Sequence, residues 1–132
     1  MSTNVEGVIM KAERRRIAIV GSRDYRNLKR VGELIATLDS SLKPILVSGG
    51  AVGPDTEAER IALERCWGTE IYRVTPRAYE LWGRRAPLLR NQEIAERCNE
   101  MWALWNGKSR GTLDVIRQAV IAGKPVHIVP DC

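Results

Sequence analysis

Along this 132-residue chain, short continuous apolar runs alternate with stretches whose apolar residues recur every three or four positions. Residues 17–20, 45–47, 101–105 and 126–129 are runs of the kind expected of parallel strands covered on both faces. Residues 70–74 alternate enough to form a third strand in chain order, closed by Thr75 and Pro76. Helical spacing links Leu28, Val31, Leu34, Ile35 and Leu38, and Asp24 is placed to cap that helix. A second helix carries Ala58, Ile61 and Ala62, continues through Leu63 to Cys66, and is expected to end at Gly68 as a left-handed cap. Pro87 opens a helix with Ile94, Ala95 and Cys98 inward, and Leu113, Ile116, Ala119 and Val120 mark the last, capped by Gly123. Residues 76–87 are less regular, with one helical turn expected at 79–82. Residues 1–13 lack a period and read as a flexible N-terminal extension, leaving 14–132 as a single domain.

Strands alternating with helices predict an α/β fold: a three-layer, Rossmann-like, doubly wound parallel sheet of five strands in the order 3-2-1-4-5. In such a sheet the ligand crevice lies at the carboxyl ends of the strands where the winding reverses, here between the first and fourth strands. Three polar, glycine-bearing turns fall at that edge: Gly21-Ser22-Arg23, the stretch from Ser48 through Gly49, Gly50, Ala51 and Gly53, and the stretch from Asn106 to Thr112. Each passes from strand to helix, so its bare backbone and the positive end of the helix dipole suit a phosphate or carboxylate. Neither a dinucleotide fingerprint nor a P-loop is present.

Length and composition narrow the function. With 44% hydrophobic and 28% charged residues, the chain can bury roughly two-thirds of its unfolded surface. No apolar run is long enough to cross a bilayer and no signal peptide is evident, so a cytoplasmic location without membrane contact is expected. Three cysteines without Cys-x-x-Cys spacing and one histidine predict neither a metal site nor a disulfide framework. The net charge of +5 comes from sixteen arginines against five lysines, and arginine suits bidentate binding of phosphate. Much of that charge alternates with glutamate along helices and reads as a solvated face. Trp102 and Trp105 fall on opposite sides of one strand and read as core, whereas Trp82 and Trp105 are also placed where a base could stack.

Four segments together carry a resemblance. Ile17-Ala18-Ile19-Val20-Gly21-Ser22-Arg23-Asp24, the run from Val47 to Glu59, Leu89-Arg90-Asn91-Gln92, and Trp105-Asn106-Gly107-Lys108-Ser109-Arg110-Gly111-Thr112 resemble the SLOG superfamily. That Rossmann-like group unites DprA/Smf proteins with the LOG phosphoribohydrolases, and the chain is most similar to its small stand-alone YspA-related branch. The resemblance covers about residues 15 to 130. It implies a pocket for a nucleotide or nucleotide-derived ligand, in a sensor or regulatory role, with no cofactor. It places Gly21, Ser22 and Arg23 on one wall and Ser48, Gly49, Gly50, Ala51 and Gly53 at the floor. Arg90 and Asn91 would reach in from a helix start, and Asn106, Gly107, Ser109, Gly111 and Thr112 would form a second phosphate-binding turn. It also implies pairing into a homodimer.

Two further readings follow from the same likeness. As a LOG-like nucleoside monophosphate phosphoribohydrolase, the chain would rely on Asp114, Asp55 or Arg90; the LOG glutamate three positions after the threonine is Val115 here. As a DprA-like protein it would bind single-stranded DNA. DprA-type proteins carry arginine where Val52 stands, which favours a small nucleotide over nucleic acid.

Overall fold

The computed structural model is described for residues 14–38 and 41–131. The proposed extension 1–13 lies outside the described residues. Elements follow in the order β1 (Arg16–Gly21), α1 (Lys29–Thr37), β2 (Ile45–Ser48), α2 (Pro54–Glu64), β3 (Gly68–Ile71), α3 (Pro76–Trp82), a 3₁₀ turn (Gly83–Arg85), α4 (Ala86–Arg97), β4 (Glu100–Trp105), α5 (Arg110–Ile121) and β5 (Val126–Pro130). The five strands form one parallel sheet in the order β3-β2-β1-β4-β5. Its winding reverses between β1 and β4, as the sequence predicts.

Alternation along β1 divides the core. Ile17 and Ile19 point to one face, where they meet Val31, Leu34 and Ile35 of α1 and Ala58, Ile61 and Ala62 of α2. Ala18 and Val20 point to the other, against Ile94 and Ala95 of α4 and Val115, Ile116 and Ala119 of α5. Trp102 packs against the first cluster and Trp105 against the second. Strand residues two apart share a face, and the helices therefore form two outer layers around a sheet buried on both sides.

Several boundaries differ from the sequence reading, each for a local reason. Helix α1 begins at Lys29, with Leu28 at its N-cap and no side-chain cap, so Asp24 does not cap it. Instead Tyr25 turns inward at 3% exposure and its hydroxyl donates to the Pro130 carbonyl at 3.0 Å. The Asp131 carboxylate accepts from the amides of Arg26 at 2.8 Å and Asn27 at 3.4 Å. That tether to the end of β5 replaces a first helical turn.

Helix α2 stops at Glu64, and Cys66, not Gly68, takes the left-handed conformation, with φ 59°. The Trp67 amide reaches back to the Ala62 carbonyl and the Cys66 amide to that of Leu63, the two bonds of a Schellman ending. Trp67 is then buried at 4% exposure, and Gly68 starts β3 two residues earlier than predicted. The irregular segment after it holds a full helix, α3, capped by the Thr75 hydroxyl.

Candidate functional site

The three turns at the carboxyl edge are stitched to one another. Gly21 ends β1, and a Cβ there would lie 2.6 Å from Pro54 Cγ and 2.8 Å from the Leu104 carbonyl oxygen. The absent side chain lets α2 and β4 close on β1. Gly53, with φ 104°, brings the second turn within reach of the Ser22 and Arg23 carbonyls. Ser22 is 1% exposed. Its amide donates to the Leu104 carbonyl at 3.0 Å. Its hydroxyl accepts from the Asn106 amide at 3.2 Å and lies 3.3 Å from the Thr112 hydroxyl. Ser22 thus ties the first turn to the third.

The third turn is built by its own side chains. Asn106 Oδ1 accepts from the amides of Lys108 and Ser109, both at 2.9 Å, and Gly107 supplies a positive φ of 79°. The Ser109 hydroxyl caps α5 by accepting from the Thr112 amide at 3.3 Å and the Thr112 hydroxyl at 3.1 Å. Trp105 Nε1 donates to the Ser109 carbonyl at 3.0 Å, so this indole braces the turn. The first hydrogen bond of α5 runs from the Leu113 amide to the Ser109 carbonyl. The amides of Arg110 and Gly111 precede it, where helix donors lack partners in their own helix.

The second turn differs from the expectation. Its amides are not left open: Asp55 Oδ2 accepts from Gly49 at 3.1 Å and Ala51 at 3.5 Å, with the Ser48 hydroxyl at 3.4 Å. Oδ1 accepts from the Gly21 amide at 3.1 Å, and the Gly50 amide donates to Ser48 Oγ at 3.2 Å. Buried amides need acceptors, and a carboxylate at the start of α2 is the one within reach. Burial pushes the Asp55 carboxyl up from 3.8 to about 6. The amides of Ala51 and Gly49, the Arg90 guanidinium and the Gly21 amide pull the other way. Asp55 is therefore a positioning residue that locks the first two turns together.

Arg90 and Asn91 arrive from α4. Arg90 Nη1 donates to the Gly49 carbonyl at 2.9 Å and Nε to Asn91 Oδ1 at 3.0 Å. Asn91 Nδ2 bridges the Gly111 carbonyl at 3.3 Å and Asp114 at 2.9 Å. The pair fastens the second turn to the start of α5.

Together these elements enclose a cleft of about 280 Å³. Of the residues singled out in the sequence, Gly21, Arg23, Gly49, Ala51, Asp55, Arg90, Asn91, Ser109, Gly111 and Thr112 line it. Ser22 and Asn106 instead line a neighbouring compartment with Lys108. Ser48, Gly50, Gly53, Gly107 and Asp114 line neither. Val20 at the end of β1 and Pro87, Leu88, Ile94 and Val115 complete the wall. Among these last four, helical spacing held a signal for two, Pro87 and Ile94, since positions 87, 90, 91 and 94 share one face of α4. Val115, 3% exposed, puts an apolar surface where a LOG hydrolase carries its glutamate. The candidate acids Asp55 and Asp114 are both engaged, by turn amides and by Asn91.

The fold and the cleft define a doubly wound, Rossmann-like α/β domain with its cleft at the carboxyl edge of the sheet, the edge where folds of this class place their ligands. A family model described as DNA recombination-mediator protein A matches residues 4–72, and the chain belongs to that family. The X-ray structure of DNA processing protein A (DprA) from Streptococcus pneumoniae has the same fold, with TM-score 0.75 at 23% identity. The match covers 91% of this chain and 52% of that one, so the chain spans about half the length of its structural relative. No curated protein matches the chain. Among the described residues no helix is long and apolar enough to cross a membrane.

Proposed function

We propose that the domain binds a nucleotide or nucleotide-derived ligand through its phosphate, held between Arg23, Arg90 and the start of α5. The observation that supports this most is the convergence of two arginines and a helix N-terminus on one cleft. Guanidinium groups pair bidentately with phosphate oxygens, and the leading amides of α5 add donors aligned with the helix dipole. Asp55 has no ligand role in this reading; it holds the glycine turn so that Arg90 can rest on the Gly49 carbonyl. Titration calorimetry of the folded chain with AMP, ADP and ATP tests the proposal. Saturable binding to one or more supports it, and the absence of heat with all three at millimolar concentration overturns it.

Family membership favours a second reading, in which the same arginines grip the backbone of single-stranded DNA. Phosphate contacts release counterions, so log K then falls with log salt by ~0.7 per neutralised phosphate. A shallow salt slope with an oligonucleotide, beside tight mononucleotide binding, selects the first reading; a steep slope without mononucleotide binding selects the second.

A further inference from the structure

Arg90 is held by a relay of hydrogen bonds that begins outside the cleft. The Asp114 carboxylate accepts from Asn91 Nδ2 at 2.9 Å, and the Gly111 carbonyl accepts from the same nitrogen at 3.3 Å. A carboxylate and a carbonyl only accept, so both call for the donor end of the Asn91 amide. The amide oxygen must then face Arg90, whose Nε donates to it at 3.0 Å. Asn91 is 6% exposed, which leaves its amide little solvent to turn toward. Asp114, where the relay starts, does not line the cleft.

On its other flank, Arg90 Nη1 donates to the Gly49 carbonyl at 2.9 Å. The Gly49 φ is not positive, so its backbone does not call for glycine; the space over it does. A Cβ there would lie 2.8 Å from Arg90 Nη1 and 3.2 Å from Cζ. Nε and Nη1 are thus both engaged, and Nη2 is left without a partner among the described residues.

We infer that Asp114 is a positioning residue for the phosphate: through Asn91 it holds the Arg90 guanidinium in its seat over Gly49, with Nη2 kept for the ligand. The inference rests on the phosphate-binding reading above and gives a carboxylate outside the cleft control over affinity inside it. A guanidinium fixed in advance spares the ligand the ordering of a long side chain. An acid beside the cleft would by its charge alone oppose an anion. The charge of Asp114 and its hydrogen bond therefore act on phosphate binding with opposite signs.

The test measures AMP and inorganic phosphate by calorimetry in the wild type, Asp114→Asn, Asp114→Ala and Gly49→Ala, with the Arg90 Nε–H followed by NMR. Asp114→Asn removes the charge and keeps an oxygen acceptor for Asn91, so it binds AMP at least as tightly as the wild type. Asp114→Ala removes both. It binds ~2–10-fold more weakly than Asp114→Asn, the scale of one hydrogen bond's net contribution, and its Arg90 Nε–H exchanges faster with water. Gly49→Ala pushes the guanidinium off its seat and weakens AMP and phosphate alike. Equal affinity in Asp114→Asn and Asp114→Ala overturns the inference, even where Asp114→Ala lowers the unfolding midpoint, because the carboxylate is then only a brace between α4 and α5. Wild-type affinity in Gly49→Ala also overturns it. Failure of the wild type to bind AMP, ADP and ATP is a distinct result, which removes the phosphate reading and this inference with it.

Discussion

Replacing Gly21 with alanine tests how the turns are brought together. The new Cβ would sit 2.6 Å and 2.7 Å from the Pro54 ring and 2.8 Å from the Leu104 carbonyl oxygen, well inside van der Waals contact. None of these partners is a flexible side-chain end: one is a ring fixed at the start of α2 and the other is the backbone of β4. The strain must be relieved by moving α2 away from β1, which would stretch the bond from the Gly21 amide to Asp55. Overpacking of this kind costs ~1–3 kcal/mol, so Gly21→Ala should destabilise by roughly 2 kcal/mol. For a chain of this length, unfolding entropy of ~2.1 cal/mol/K per residue converts that to a fall in Tm of about 7 °C. Gly111→Ala is the matched control, because a Cβ there meets nothing within 4 Å and the residue lies in the first turn of α5. It should be neutral or gain ~0.5 kcal/mol from reduced unfolded-state freedom. Urea unfolding monitored by circular dichroism reads both variants. If the two shift the midpoint equally, close approach at Gly21 is not what closes the edge.

Asp55 predicts a pH dependence with a definite sign. Its native value of about 6 lies above its ordinary 3.8, so between those values the folded state holds more protons than the unfolded state. Stability from this group is therefore present at low pH and lost as pH rises through that window, by up to about 3 kcal/mol at ~1.4 kcal/mol per pKa unit. Asp55→Asn should lack that slope, and it leaves at least one donor among Gly21, Gly49 and Ala51 without an acceptor. Urea midpoints at pH 4, 5 and 7 for both proteins decide it; parallel profiles would count against a buried titrating carboxyl. Arg90→Gln removes the cation beside Asp55 and the bond to the Gly49 carbonyl. It should weaken AMP by ~10–100-fold, since hydrogen bonds to charged groups contribute ~1.5–3 kcal/mol; unchanged AMP affinity would place the phosphate elsewhere.

The sheet was legible because its signal is local. Runs such as residues 17–20 and 101–105 can be covered only on two faces, and a helix after each strand leaves few ways to wind. What the sequence hid depends on contacts across the fold. Tyr25 reads as a loop residue until β5 brings Pro130 and Asp131 beside it. Gly68 reads as a helix cap, whereas the burial of Trp67 fixes the ending one residue pair earlier, at Cys66. Asp55 illustrates the site itself. Its sequence position suggests a helix-dipole partner or a catalytic acid, yet its carboxylate fills the amides of two turns thirty residues apart in the chain, a pairing that no spacing records. The Arg90–Asn91 pair was visible as a motif. Its function as a strap between Gly49 and Gly111 was not, because α4 reaches those turns only through the packed sheet.

A crystal structure of the chain with AMP at saturating concentration tests the phosphate site most directly. The phosphate should lie between the Arg23 and Arg90 guanidinium groups and the amides of Arg110 and Gly111, with the Asp55 carboxylate still on the amides of Gly21 and Gly49. Phosphate density away from both arginines, or a cleft without ligand at that concentration, would contradict it.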